Sequence, residues 1–148
     1  MSISSPPELV HASCVAIAGR GVLIAGGSGR GKSDLALRLI DRGAALVSDD
    51  YTLVARDGDR LIGNAPDRIS GKIEVRGIGI VEIGALANVP ICLLVDLDRD
   101  PQRLPDGEER ITIAGMELPM IGLAALEASA PIKLEYALRH FGLSLPVP

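Results

Sequence analysis

Gly26-Gly27-Ser28-Gly29-Arg30-Gly31-Lys32-Ser33 satisfies the pattern G-x-x-x-x-G-K-[ST] at every fixed position. An apolar run, Gly21-Val22-Leu23-Ile24-Ala25, precedes it, and a helical pattern from Ser33 to Arg42 follows. That strand–loop–helix order separates a phosphate loop (Walker A) from a chance match. Glycines let successive backbone N–H groups converge on phosphate oxygens with no Cβ in the way. The helix behind the loop adds unpaired N–H donors and the positive end of its dipole. Lys32 can place a point charge on the terminal phosphates, and the Ser33 hydroxyl can ligate Mg2+. The alternative is a Gly/Ser-rich turn that happens to hold a lysine, and the flanking periodicity argues against it. The expectation is a site for a nucleoside triphosphate or similar polyphosphate built from residues 26–33.

Outward from the loop, Leu35, Ala36, Leu39 and Ile40 form one apolar helix face, while Asp34, Arg38, Asp41 and Arg42 point away. Gly43 suits the C′ stop. On the other side, His11 to Ala18 alternates as a strand, and Arg20-Gly21 supports a tight turn into a strand Val22–Ala25. Ala44–Val47 is a short strand ending on Asp49-Asp50. Tyr51–Arg56 and Arg60–Ile62 make a hairpin through Asp57-Gly58-Asp59. Asn64 to Gly84 is rich in glycine and charge, without a clear element. Pro90–Leu97 is the most apolar strand, followed by a mobile loop, Arg99 to Glu109. Ile111–Ile113 and Met116–Leu118 flank Ala114-Gly115 as another hairpin. Ile121 to Phe141 reads as mostly helical, with Pro131 marking a kink or a boundary between two helices. The class is α/β: a mixed sheet with β-hairpins, a phosphate-loop helix and a C-terminal helical segment.

The 148 residues suit a single domain spanning 1–148, with residues 1–7 a frayed lead-in. Aromatics are only 2% of the chain, so the core must be Leu, Ile, Val and Ala. A net charge of −4 and so few rings leave neither an electrostatic footprint nor a stacking platform for nucleic acid. Cys14 and Cys92 lie in apolar runs and read as reduced core thiols. Met1 to Val10 lacks the charge and hydropathy of a leader, and no stretch is long enough to span a membrane. A cytoplasmic location is expected.

A phosphate loop does not by itself identify a reaction, which also needs a metal-holding carboxylate and a group that orients or deprotonates the nucleophile. Two stretches qualify. Ile91-Cys92-Leu93-Leu94-Val95-Asp96 has the form of the second metal-binding motif of phosphate-loop proteins, and Leu46-Val47-Ser48-Asp49-Asp50 ends the strand after the loop helix. Adjacent aspartates disfavour joint ionisation, a conflict that Mg2+ would relieve. All three aspartates also suit plain turns.

The phosphate loop, Leu-Val-Ser-Asp-Asp, and Ile73-Glu74-Val75-Arg76-Gly77-Ile78-Gly79-Ile80 occur in this order. Together they resemble the catalytic domain of the bacterial HPr kinase/phosphorylase family, whose Glu-hydrophobic-Arg-Gly-hydrophobic-Gly signature most phosphate-loop proteins lack. His11 stands the family's distance ahead of the Gly19–Ile24 strand. The similarity runs from about His11 to Gly84 and then weakens.

The resemblance implies that Gly26, Gly27, Ser28, Gly29, Arg30, Gly31, Lys32 and Ser33 bind ATP phosphates. Lys32 would be catalytic, and Ser33 and Glu74 would ligate Mg2+. Asp50 would take the proton of a substrate serine and return it in the reverse, phosphate-dependent reaction, with Asp49 supporting the site. His11 would be an active-site position, Arg76 with Gly77 and Gly79 would shape the site, and Arg103 would match a catalytic arginine. The implied partner is HPr or an HPr-like phosphocarrier of a bacterial phosphotransferase system, with subunits assembled into a homo-oligomer. Two departures stand out. Only about ten residues precede His11, where the long family form carries another domain. The stretch Leu118–Ala124 also has no arginine, where the family has a Pro-, Arg- and Gly-rich segment tied to dephosphorylation. Two other readings stay open: a small-molecule kinase or nucleotide hydrolase using Asp96 as metal ligand, and a non-catalytic nucleotide-binding regulator.

Overall fold

The computed structural model describes residues 6–145, so most of the lead-in, residues 1–5, lies outside the described residues. In chain order the strands are β1 Glu8–Val10, β2 Ala12–Ile17, β3 Arg20–Ala25, β4 Ala45–Ser48, β5 Thr52–Asp57, β6 Arg60–Asn64, β7 Lys72–Val75, β8 Gly79–Glu82, β9 Val89–Asp96, β10 Arg110–Ile113 and β11 Met116–Gly122. Two α-helices join them, α1 Lys32–Asp41 and α2 Ala130–Phe141. The fold is mixed α/β. Its main sheet runs β1-β5-β6-β9-β3-β2-β4, with β3 and β9 parallel.

Strand β9 organises the sheet. One edge carries β3 from Ile91 to Asp96; the other carries β6 along Val89–Ile91 and then β11 along Leu94–Asp96. The sheet therefore forks along its most apolar strand. Strand β9 is paired on both edges, and its alternating side chains enter a core on each face. Leu93 and Val95 join the core under α1 and α2, whereas Val89, Ile91 and Leu94 join the core on the opposite face. A register shift at Cys92 changes the phase of that alternation, as a β-bulge does. Both cores consist almost wholly of Leu, Ile, Val and Ala, as the scarcity of aromatics requires. Cys14 and Cys92 are buried, free thiols, and burial pushes both above the ordinary thiol range.

Helix α1 buries Leu35, Ala36 and Leu39 and stops in a Schellman arrangement. The Gly43 N–H meets the Ile40 carbonyl and the Ala44 N–H meets the Leu39 carbonyl, with Gly43 at φ 109°. Arg42 grips Glu135 of α2 through Nε and Nη2, and this pairing holds the guanidinium more firmly protonated. Arg20 caps α2 by donating to the Leu138 and Leu143 carbonyls.

Four sequence expectations change. The turn before β3 is Ala18-Gly19, both at positive φ, and Arg20-Gly21 already belongs to the strand. Residues 121–141 are not mostly helical: β11 runs to Gly122, and α2 begins only at Ala130. Pro131 is neither kink nor inter-helix boundary but lies in the first turn of α2, where its missing N–H has no partner to lose. The glycine-rich stretch from Asn64 to Gly84 carries a two-stranded sheet of its own, β7 against β8. Its inner face, Ile73, Val75 and Val81, packs on the helix-side core.

Gly21 on β3 and Gly63 on β6 make room for Ile91 of the strand between them. A Cβ on Gly21 would lie 2.8 Å from Ile91 Cδ1 and 2.9 Å from the Pro90 carbonyl oxygen; one on Gly63 would meet only Ile91 Cδ1 closely, at 2.7 Å. A backbone oxygen cannot rotate aside, so Gly21→Ala is expected to cost about 1–3 kcal/mol in urea unfolding. Gly63→Ala should cost less; an equal or larger loss there would contradict this account of the packing.

Candidate active site

The glycine loop leaves the C-terminal end of β3 beside the C-terminal end of its parallel neighbour β9, with Ala25 opposite Asp96. Open α/β sheets place ligands outside such strand ends. Gly31 caps α1 in the left-handed region, φ 95°, a conformation that L side chains resist. Asp98, just past β9, ties the loop down. Its carboxylate accepts the Gly27 N–H at 2.8 Å and lies 3.0 Å from Arg30 Nε. Asp96 accepts the Asp98 N–H at 2.9 Å, so it caps the same turn.

Lys32 is only 5% exposed, not the exposed loop residue that its place in a glycine run suggests. Its Nζ donates to the carbonyls of Gly26 and Gly27 at 2.8 and 3.2 Å and stands 3.6 Å from Asp50 Oδ1. The ammonium is folded onto its own loop, on the side of Asp50.

The acidic pair diverges. Asp49 is buried and takes three donors: Ser33 Oγ at 2.6 Å and Ser13 Oγ at 3.1 Å on Oδ1, and the Glu74 N–H at 2.9 Å on Oδ2. Asp50 turns the other way at φ 66°, with its side chain 52% exposed between Lys32 and His11. The turn is held by Ser48 Oγ on the Tyr51 carbonyl, by the Tyr51 N–H on the Asp49 carbonyl at 2.7 Å, and by the Asp50 N–H on Ser13 Oγ at 2.9 Å. The electrostatic conflict of adjacent aspartates is thus eased geometrically, because each carboxylate has its own donors.

His11 places Nε2 3.1 Å from Asp50 Oδ1 and stacks its ring on Tyr51, with centroids 4.8 Å apart and planes inclined by 21°. The fold therefore brings His11, Lys32, Ser33, Asp49 and Asp50 into one cluster. Glu74 joins through its backbone, while its side chain is exposed on the outer face of β7. Arg76, with Gly77, is in the exposed β7–β8 turn. Arg103 is exposed in the loop between β9 and β10 and makes no hydrogen bond or ion pair with the cluster among the described residues. Ser13, Tyr51 and Asp98 escaped the sequence reading. The available signal was faint: Ser13 is the one polar residue in the inward series Ser13, Val15, Ile17.

Oxygen donors dominate the cluster. Ser33 Oγ and the Asp49 carboxylate are hard oxygen donors that lie side by side, with the Glu74 backbone N–H on the same carboxylate. Among the described residues no three His, Cys, Asp or Glu side chains form a metal cage. No helix among them is long and apolar enough to cross a membrane.

Residues 3–129 match the family described as HPr Serine kinase C-terminal domain. The chain is 42% identical over 130 residues to an HPr kinase/phosphorylase of Geobacillus thermodenitrificans, covering 79% of this chain and 42% of that protein. It is 36% identical over 151 residues to an HPr kinase/phosphorylase of Azoarcus sp., covering 92% of this chain and 48% of that one. The chain thus spans less than half the length of these relatives. A solved structure, the Hpr(Ser) kinase/phosphatase from Coxiella burnetii, superposes with a TM-score of 0.76 at 30% identity, covering 89% of this chain and 94% of that one. With the match spanning most of its length, the chain belongs to the HPr serine kinase C-terminal domain family.

Proposed function

We propose that this chain is a serine kinase that transfers the terminal phosphoryl group of ATP, with Mg2+, to a serine of HPr or an HPr-like phosphocarrier. One observation carries the reading: a half-exposed carboxylate, Asp50, stands 3.6 Å from the buried ammonium of Lys32 at the mouth of the glycine loop. An incoming hydroxyl needs a carboxylate open to solvent on one side and a cation for the migrating group on the other. The names of the relatives supply the acceptor, and the glycine spacing supports the donor.

In this reading residues 26–33 hold the phosphates with backbone N–H groups, and Lys32 exchanges loop carbonyls for phosphate oxygens. The Ser oxygen bonds to phosphorus as the bond to the departing diphosphate breaks, and Asp50 takes the hydroxyl proton. That proton can leave late in a loose transition state, so the position of Asp50 matters more than its basicity. His11, stacked on Tyr51, holds the Asp50 carboxylate toward Lys32. Ser33 and Asp49, with Glu74, are the proposed Mg2+ side. Mg2+ retains waters and takes phosphate oxygens, so a few protein oxygens suffice. When bound, it would offset charge on the transferred group. Arg76, Gly77 and Gly79 would shape the acceptor side, and Arg103 would reach the phosphates from its loop. Removal of phosphate would run through Asp50 as proton donor, but the arginine-free stretch 118–124 favours the kinase direction. Homo-oligomerisation and a cytoplasmic setting belong to the same reading. Ile78 and Ile80, 77% and 65% exposed on the β7–β8 hairpin, suit a surface that meets another protein.

The test is transfer of label from ATP to such a carrier. Asp50→Asn should keep ATP binding and lower transfer by at least ~100-fold, while Asp96→Asn stays within a few-fold of wild type. The reverse ranking would favour the small-molecule kinase or hydrolase that relies on Asp96. Lys32→Ala should lower transfer by about 100–1,000-fold, as loss of one transition-state donor does. It should also lower thermal stability measurably, because Lys32 is buried on two loop carbonyls; an unchanged melting curve would contradict that packing. Chelation of divalent cations should abolish transfer and addition of Mg2+ restore it, whereas full activity in chelator would exclude the metal.

A further inference from the structure

Ser13, the second residue of β2, is 0% exposed on the face that packs toward α1. The next residues on that face, Val15 and Ile17, are apolar and contribute to the helix-side core. A hydroxyl there must find partners or pay for desolvation. Ser13 uses its one proton on Asp49 Oδ1 at 3.1 Å and accepts the Asp50 N–H at 2.9 Å. Among the described residues it is the one side chain that bonds to both members of the acidic pair.

The geometry explains the consequence. Asp50 holds φ 66°, a region that aspartate visits only when its surroundings favour it. The bond from its N–H to Ser13 fixes the peptide that sets this conformation. Rotation of that peptide would swing the Asp50 carboxylate off Lys32 and His11. The same hydroxyl steers Asp49 Oδ1, which also receives Ser33. The two other bonds that close the turn, Ser48 to the Tyr51 carbonyl and the Tyr51 N–H to the Asp49 carbonyl, touch neither carboxylate.

We infer that Ser13 is a positioning residue: its hydroxyl sets the direction of Asp50 toward the acceptor and of Asp49 toward Ser33, and so governs the rate of phosphoryl transfer without touching either substrate. This rests on the proposed reaction, in which Asp50 receives the acceptor proton.

Ser13→Thr and Ser13→Val have the same shape and differ by the hydroxyl. With Val, kcat for transfer to the carrier is expected to fall by about 10–100-fold with the KM for ATP within about twofold, the size of effect that a misplaced reacting group produces. Thr should stay within about threefold of wild type. In amide hydrogen exchange, the Asp50 N–H should lose protection with Val and keep it with Thr. Equal kcat for Val and Thr, or a loss in Val that appears only as a raised KM for ATP, would overturn the inference. Should Val fail to fold, Ser13→Ala against Thr makes the same comparison. A wild-type chain that binds ATP but never labels the carrier would overturn the proposed reaction instead. The Asp50 exchange data would then decide Ser13 alone, with equal protection in Val and Thr counting against it.

Discussion

A buried carboxylate with three donors from three separate elements holds this site together. Asp49, just beyond β4, is bonded by Ser13 of β2, by Ser33 in the first turn of α1, and by the backbone of Glu74 on β7. Burial of an unpaired carboxylate would cost several kcal/mol, so each donor helps make the position tolerable. Removal of any one element leaves a charged group short of partners. The small β7–β8 sheet shows this dependence most directly: among the described residues, its strands are held to the rest of the fold by inward apolar contacts and by the backbone bond from Glu74 to Asp49.

The carrier of this arrangement is β9. By pairing with β3 on one edge and with β6 and β11 on the other, it brings the turn at Asp98 against the glycine loop. Its apolar side chains anchor both cores, so the loop rests on a strand packed on both faces. The helices lock from outside, through Arg42 with Glu135 and through Arg38 on the carbonyls of Ala125 and Glu127. A site that must hold groups within fractions of an ångström benefits from such a support.

Much of the organisation was legible from local spacing. Glycine at fixed intervals between an apolar run and a helical pattern located the loop, and Gly43 marked the end of α1 with the expected chemistry. Asp-Gly and Ala-Gly pairs marked two hairpins correctly. The misreadings share a cause. Ile121 and Gly122 lie in a strand because β9 offers them an edge, a partner invisible to periodicity. The β7–β8 hairpin hides in a glycine-rich stretch because its inner residues, Ile73, Val75 and Val81, are separated by charge and glycine, and the exposed Ile78 and Ile80 blur the alternation. Lys32 looks exposed in sequence and is buried in space.

The sequence by itself determined the kinds of groups available: a glycine loop, one lysine within it, and two adjacent carboxylates at a strand end. These are properties of eight or fewer neighbouring residues, and local sterics dictate them. Only the tertiary structure decided that the carboxylates part company, that His11 and Lys32 converge on Asp50, and that a buried serine on β2 stands between the pair. The partners of Asp49 and Asp50 on that side lie 36, 37 and 39 residues away along the chain. Contacts of that separation follow from how strands are ordered in the sheet, and no local pattern encodes that order.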